Sequence, residues 1–309
     1  MAESDDSDRR EVRVEVATMW TSPAAPRESD RPAVLDHPEL ALWLAGMDDL
    51  PSRAGLHGRT LTQLLMGEPV QVVEETEGWA RVVALRQPSS LDDRGYPGWV
   101  PSSHLGRPAN GEGGTRACVR TTTALCHLDG GGSLELSCGT TLWVDAVDEQ
   151  TVGVRLPESR RGRLRADAVT ITQRDRPPPP EPDDLLSTAR QFLGVRYLWG
   201  GTSAWGVDCS GLVQLAYRAH GIGFARDAHD QEVSPVLSPV DLDEVVPGDL
   251  YFFARAGKAV SHVGFVTAPV TAEGTRWMLH APEDGEAVEE EPLAPHRLGS
   301  LVSAGRVRS

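Results

Sequence analysis

The stretch Tyr197-Leu-Trp-Gly-Gly-Thr-Ser-Ala-Trp-Gly-Val-Asp-Cys-Ser-Gly-Leu-Val213 decides how the rest of the chain is read. Glycines and turn-forming residues crowd its first half. Leu212, Leu215, Ala216 and Ala219 then recur at helical spacing up to His220-Gly221. Cys209 therefore falls at or near a helix N-terminus. Unpaired N–H groups and the positive end of the helix dipole gather there and favour thiolate over thiol. A lone cysteine is equally an ordinary small core residue. Asp208 and Ser210 as neighbours argue against a greasy pocket, and on local sequence both readings stand.

Working outward towards the C-terminus, a nucleophilic cysteine needs a base. His262 sits in a strand-like run, with Val260, His262, Gly264 and Val266 expected on one face and Ser261, Val263 and Phe265 on the other. His280 ends a second such run, Trp277-Met-Leu-His280, and a third is Asp249-Leu-Tyr-Phe-Phe253. A histidine in an apolar strand is usually a satisfied core residue. Two on adjacent antiparallel strands can share a face, and one can then orient the other through a ring hydrogen bond. Upstream, Leu185, Leu186, Ala189, Phe192 and Leu193 have helical spacing, with Asp183 or Asp184 as cap and Gly194 as stop. Helices followed by antiparallel strands indicate an α+β domain over 183–309.

Towards the N-terminus, Gln173-Arg-Asp-Arg-Pro-Pro-Pro-Pro-Glu-Pro-Asp-Asp184 reads as a semi-rigid linker, because consecutive prolines fit neither a helix nor a central strand. The linker proper is placed at 173–182. Before it, the chain is β-rich. Val12, Val14 and Val16 alternate with polar residues. Val70, Val72 and Val73 precede a turn at Glu77-Gly78, followed by Trp79, Arg81-Val-Val83 and Gly98-Trp-Val-Pro101. A fainter copy follows in Gly139, Leu142-Trp-Val144, Val152-Gly-Val154 and Gly162-Arg-Leu164. The repeat predicts two small all-β barrels in tandem, at 11–106 and 114–172. Residues 22–58 interrupt the first as a functional loop or a packing arm. Within them, His37-Pro-Glu-Leu-Ala-Leu-Trp-Leu-Ala45 reads as a short helix with Pro38 in its first turn.

Composition bounds the partners. A net charge of −15 disfavours nucleic acid and anionic membrane surfaces, which need a basic face. No window approaches the ~20 apolar residues of a membrane span. The start, Met-Ala-Glu-Ser-Asp-Asp, is acidic and no apolar run follows, so a native start implies a cytoplasmic protein. Cys118, Cys126 and Cys138 form no C-x-x-C pair and read as buried, reduced thiols. His220 and His229 lack a third ligand at useful spacing and read as surface residues, so no metal and no cofactor are expected.

Asp208-Cys-Ser-Gly211, Pro247-Gly-Asp-Leu250, Ser261-His-Val-Gly264 and Leu279-His-Ala281, taken in order, resemble the signature of the NlpC/p60 cysteine peptidases. Gly98-Trp-Val-Pro101 resembles the closing strand of bacterial SH3 domains. With the Tyr197-Leu-Trp-Gly-Gly201 run, the whole chain resembles the γ-D-glutamyl-L-diamino acid endopeptidases of that family. The resemblance implies a papain-like C-terminal domain with Cys209 as nucleophile, His262 as base and His280 as the orienting residue. It implies that Tyr197 supports the oxyanion together with the Cys209 N–H. It also implies substrate contacts at Asp208, Ser210, Trp199, Asp227 and Ala228, and a contribution from Tyr96 and Glu68 of the first barrel. Asp227 would meet the substrate amine. Ala228 stands where the family often has Ser, which leaves only a backbone contact. For Tyr96 the bland alternative is core packing, and for Glu68 a solvated turn. The implied substrate is a cell-wall peptide, L-Ala-γ-D-Glu-diamino acid, with a free N-terminus. An amidase or acyltransferase built on the same three residues, and a non-catalytic wall-binding protein, are the competing readings.

Overall fold

The computed structural model describes residues 8–109, 114–173, 180–283 and 285–308, and the chain divides into two compact units, 1–175 and 176–309. Most of the Pro-rich stretch read as a linker, residues 174–179, lies outside the described residues.

The first unit is built from two seven-stranded antiparallel sheets. The first runs Thr60–Leu65, Val16–Trp20, Tyr96–Pro101, Trp79–Ala84, Pro69–Thr76, Arg9–Val12, Leu105–Gly106. The second runs Ser133–Ser137, Thr123–Leu128, Arg161–Arg165, Thr151–Arg155, Thr141–Val147, Arg116–Val119, Val169–Thr172. Taken in chain order within each half, these are the same seven positions. Each half also places a three-residue 3-10 turn, Ser102–His104 or Ala166–Ala168, before its last strand. The faint sequence repeat is therefore a repeat of topology. Among the described residues neither sheet closes through paired edge strands; each is open. Alternation sets the two cores: Val12, Val14, Val70, Val82 and Val100 bury in one, and Val119, Leu142, Val152, Val154 and Leu164 in the other.

Residues 22–58 are a packing arm. They carry a 3-10 turn, Glu28–Val34, and two short helices, Leu40–Ala45 and Leu50–Ala54. The expected helix begins only at Leu40, which leaves Pro38 ahead of its first turn. Asp30 is fully buried and clamps the arm. Arg27 donates to both its oxygens and Trp43 donates Nε1–H to Oδ1 at 2.9 Å. The Trp43 ring in turn packs 6.1 Å from Trp20 of the sheet.

The second unit is α+β. A helix at Pro182–Arg190 comes first; Glu181 is its N-cap, while Asp183 and Asp184 lie in its first turn instead of capping it. Two more helices follow, Cys209–Ala219 and Ala228–Glu232. They precede an antiparallel sheet ordered Leu237–Val240, Leu301–Val307, Leu250–Ala254, Val260–Ala268, Trp277–His280, Glu289–Pro292. The three strands expected from sequence are central. The strands at 237–240 and 289–292 carry Pro or Glu where an alternating pattern would need apolar residues, and 301–307 is broken by Ser303, Gly305 and Arg306, which hid them. Among the described residues no helix is long and apolar enough to cross a membrane.

Candidate active site

Cys209 is the first residue of its helix, and Asp208 is the N-cap whose Oδ1 accepts the Gly211 N–H at 2.7 Å. Gly211 has to be glycine, because a Cβ there would collide with the Gly201 carbonyl oxygen. That close approach locks the Gly-rich turn onto the helix start. The Gly200 N–H completes it by donating to Asp208 Oδ2 at 2.9 Å.

Sequence reasoning missed the residue that binds this cap most tightly. Arg226 is 1% exposed and forks onto Asp208, Nη1 to Oδ1 at 3.0 Å and Nη2 to Oδ2 at 2.6 Å. Its Nη1 also donates to Ser210 Oγ at 2.8 Å. Gln231 reaches from the next helix and donates to the carbonyls of Ser210 and Ala225, both at 2.9 Å. Asp208 and Ser210, expected to contact substrate, are thus first of all tied to the scaffold. An arginine one residue before an aspartate gives no local sign that it will be buried, and only its distance in the fold reveals the pair.

The strand Val260–Ala268 brings the imidazoles in. Phe253 pairs with His262 in the ladder, and their rings lie 5.5 Å apart. His262 and His280 share a face as expected, with ring centroids 5.0 Å apart, edge to face, and His262 Nε2 2.8 Å from His280 Nδ1. Gly264 makes room for this, since a Cβ there would press against the His280 Cβ at 2.9 Å. The Cys209 sulfur meets the same strand through the Val263 N–H.

The electrostatics correct one expectation. The helix start does supply an N–H, from Ser210. Burial nevertheless dominates, with the Asp208 carboxylate adding to it, and the Cys209 thiol is pushed up to about 12 against the N–H groups of Val263 and Ser210 and the Arg226 cation. The burial of the sulfur thus favours the thiol over the thiolate. Burial likewise holds His262 well below its usual value, with Arg297 and His280 acting in the same direction, and brings His280 down to about 3. Burial thus acts against charge on all three side chains.

Of the remaining candidates, Tyr197 is buried and joins Val207 through an isolated bridge, its N–H donating to the Glu286 carbonyl at 2.8 Å. Trp199 is 37% exposed. Asp227 caps Ala228–Glu232 without a side-chain capping bond, and its carboxylate lies within 4.8 Å of ligand atoms of His229 and Asp230. Ala228 is buried. Tyr96 and Glu68 belong to the other unit. Tyr96 is 4% exposed in its first core. Glu68 is fully buried, accepting from the Leu65 N–H at 3.0 Å and from Gln87 Nε2 at 2.9 Å, so it does not sit in a solvated turn. His220 is half-buried with Nε2 3.0 Å from Thr188 Oγ1, a packed residue instead of a surface one. Cys118, Cys126 and Cys138 are buried free thiols, and burial pushes Cys126 up to about 11.

Residues 194–300 match the NlpC/P60 family, and residues 53–105 match the bacterial dipeptidyl-peptidase SH3 domain. A γ-D-glutamyl-L-lysine dipeptidyl-peptidase of Bacillus cereus (strain ATCC 10987 / NRS 248) is 33% identical over 91% of this chain and 85% of its own length. This chain belongs to the NlpC/P60 family. A protein of the same name from Bacillus subtilis (strain 168) is 34% identical over 89% of the chain and 90% of its own. The crystal structure of an NlpC/P60 family protein from Bacillus cereus ATCC 10987 superposes with a TM-score of 0.89 at 31% identity, covering 97% of this chain and 99% of that one. As an NlpC/P60 protein the chain is a cysteine peptidase with an SH3-type region before its peptidase domain.

Proposed function

We propose that this peptidase hydrolyses the amide between γ-D-Glu and an L-diamino acid in cell-wall peptides that carry a free N-terminal L-Ala, acting in the recycling of such peptides inside the cell. The reading is carried by near full-length kinship with two peptidases named for the γ-D-glutamyl-L-lysine bond. Cys209 attacks the γ-carbonyl as His262 takes its proton, and Tyr197 and the Cys209 N–H hold the oxyanion. The proton then passes from His262 to the departing amine, and water releases the acyl group by the same relay. His280 orients His262. Asp208 and Ser210 contact the substrate backbone near the nucleophile, with Trp199 beside them. The substrate ammonium is met by Asp227. A second carboxylate beside it, Asp230, supports this, because a buried ammonium needs a compensating charge.

On this reading both sheets of the first unit are SH3-like modules, at 11–106 with its arm and at 114–172, and 173–182 links them to the peptidase domain at 183–309. Their shared strand order and the family match over 53–105 support it.

The test is incubation with L-Ala-γ-D-Glu-L-Lys, with and without an N-acetyl block. Release of L-Ala-γ-D-Glu from the free form alone is expected. Equal rates on both forms remove the amine pocket, and no cleavage of either removes the substrate assignment.

A further inference from the structure

Behind His280 lies a carboxylate that the three expected residues do not include. Glu291 belongs to the edge strand Glu289–Pro292, which pairs with Trp277–His280 in a register that sets Glu289 opposite His280. Side chains two residues apart share a face, so Glu291 points to the same side and lies diagonally within reach. Its Oε1 is 3.3 Å from His280 Nε2. His280 is fully buried, whereas the Glu291 side chain is 35% exposed.

The contact decides which nitrogen of each ring carries the proton. A neutral imidazole has one N–H and one lone pair, and a carboxylate can only accept. If His280 donates Nε2–H to Glu291, its Nδ1 must be the acceptor. The His262 nitrogen 2.8 Å from it, Nε2, must then be a donor. A neutral His262 that donates through Nε2 keeps its lone pair on Nδ1. That is the atom a base needs when Cys209 gives up its proton. The opposite tautomer of His280 would place N–H against N–H or lone pair against lone pair somewhere along the row.

We infer that Glu291 is a positioning residue, which sets both histidine tautomers by accepting the His280 Nε2–H and so leaves the His262 Nδ1 lone pair free as the base. The inference rests on the reading of Cys209, His262 and His280 given above. Glu289 does not serve equally well. Its carboxyl is pushed up by burial and by repulsion from Glu291 and Glu286, which disfavours its charged form. Arg297, the cation that depresses both rings, opposes their protonation and keeps the contact a hydrogen bond from a neutral ring. When His262 becomes imidazolium during attack, its Nε2–H already points along a row that ends in negative charge. The row therefore also favours the charged state when it is needed.

Ring-nitrogen NMR of the resting full-length protein tests this without substrate, and peptide kinetics test it with one. Wild type should show Nε2–H on both His262 and His280, assigned with a His280→Gln variant. Glu291→Ala should add an Nδ1–H form of His280 and lower kcat about ten- to hundredfold with KM within about twofold. Glu291→Gln, whose amide oxygen still accepts, should hold the tautomers and most of kcat. An Nδ1–H tautomer of His280 in wild type overturns the inference, as does a Glu291→Ala protein with unchanged rings or unchanged kcat. If the Ala variant does not fold, the wild-type spectrum and the Gln variant decide. Failure of peptide cleavage in wild type would sink the substrate assignment while the ring spectra still report on Glu291.

Discussion

Asp208 and Arg226, and His262 and His280, are two polar pairs at Cys209, buried to similar depth but in opposite charge states. Asp208 is 8% exposed and Arg226 1%; His262 is 7% exposed and His280 fully buried. The first pair answers burial by compensation. The carboxylate takes a two-pronged guanidinium and two backbone N–H groups, and nearly every lone pair is occupied. The second pair answers it by neutrality, because burial, a nearby Arg297 and the neighbouring ring all oppose charging of His262. On the proposed reading, the second unit thus has an ionic cap that fixes the position of Cys209 and a histidine pair on its strands that can change state. Positioning needs charges that never move. Proton transfer needs groups whose charge can change.

The largest effect should come from removing the proposed nucleophile. Cys209→Ala should lower peptide cleavage by about 10⁴-fold or more, as loss of a nucleophile does elsewhere. The variant should fold normally, since one sulfur leaves little space. Residual cleavage within a hundredfold of wild type would place the nucleophile somewhere else.

Next is the ionic cap. Asp208→Ala leaves the Arg226 guanidinium buried without its compensating carboxylate, and unfolding in urea should show a loss of about 3–5 kcal/mol. Adding Arg226→Met to that variant should restore much of it, because an apolar isostere removes the stranded charge. A loss below about 1 kcal/mol in the single variant would mean the pair is wet, and the contrast with the histidines would dissolve.

The neutral side of the comparison predicts a pH dependence of stability. His280 is held down to about 3, and His104, whose Nε2 lies 2.7 Å from the Leu35 carbonyl oxygen, to about 4, in both cases chiefly by burial. In the unfolded chain these rings bind protons below about 6.5; in the fold they do not. The unfolded state therefore gains protons first on acidification. The stability these groups contribute is complete above pH 6.5 and is lost progressively towards pH 4 and then 3. His104→Gln, remote in sequence from the catalytic residues, should reduce the loss between pH 7 and pH 5 by about 2 kcal/mol, read from urea midpoints. An unchanged loss would show that His104 already binds a proton in the folded state.

How much of this was legible beforehand differs between the two pairs for a physical reason. The histidines announced themselves: each is the one polar side chain at an inward position of an apolar strand, and period-two alternation predicts their common face. Arg226 gave no such signal, since Phe224-Ala-Arg-Asp-Ala228 has no periodicity and its partner lies 18 residues away, at the other end of the helix Cys209–Ala219. Glu291 was hidden for a related reason. Glu289-Glu-Glu-Pro292 carries no apolar alternation, and only the register of an edge strand sets Glu289 and Glu291 on the His280 face. At Cys209 the helix-end N–H groups can be read from sequence, whereas the depth of burial that pushes its thiol up against them cannot.

The smallest expected effect marks the other boundary of the comparison. Arg190 and Glu290 make two charge-assisted hydrogen bonds, both 2.8 Å, a geometry close to that of Arg226 on Asp208. Their side chains, however, are 40% and 23% exposed. Water competes for the same atoms, and each side chain keeps its hydration when the other is removed. Glu290→Ala should therefore cost less than about 1 kcal/mol, and about 0.5 M NaCl should erase most of even that. Two Arg–carboxylate forks of matching length would then differ severalfold in what their loss does. Burial, and not the fork, would be what makes Arg226 indispensable to the nucleophile. A loss at Glu290 as large as that at Asp208 would reverse that conclusion, since geometry alone would then explain both.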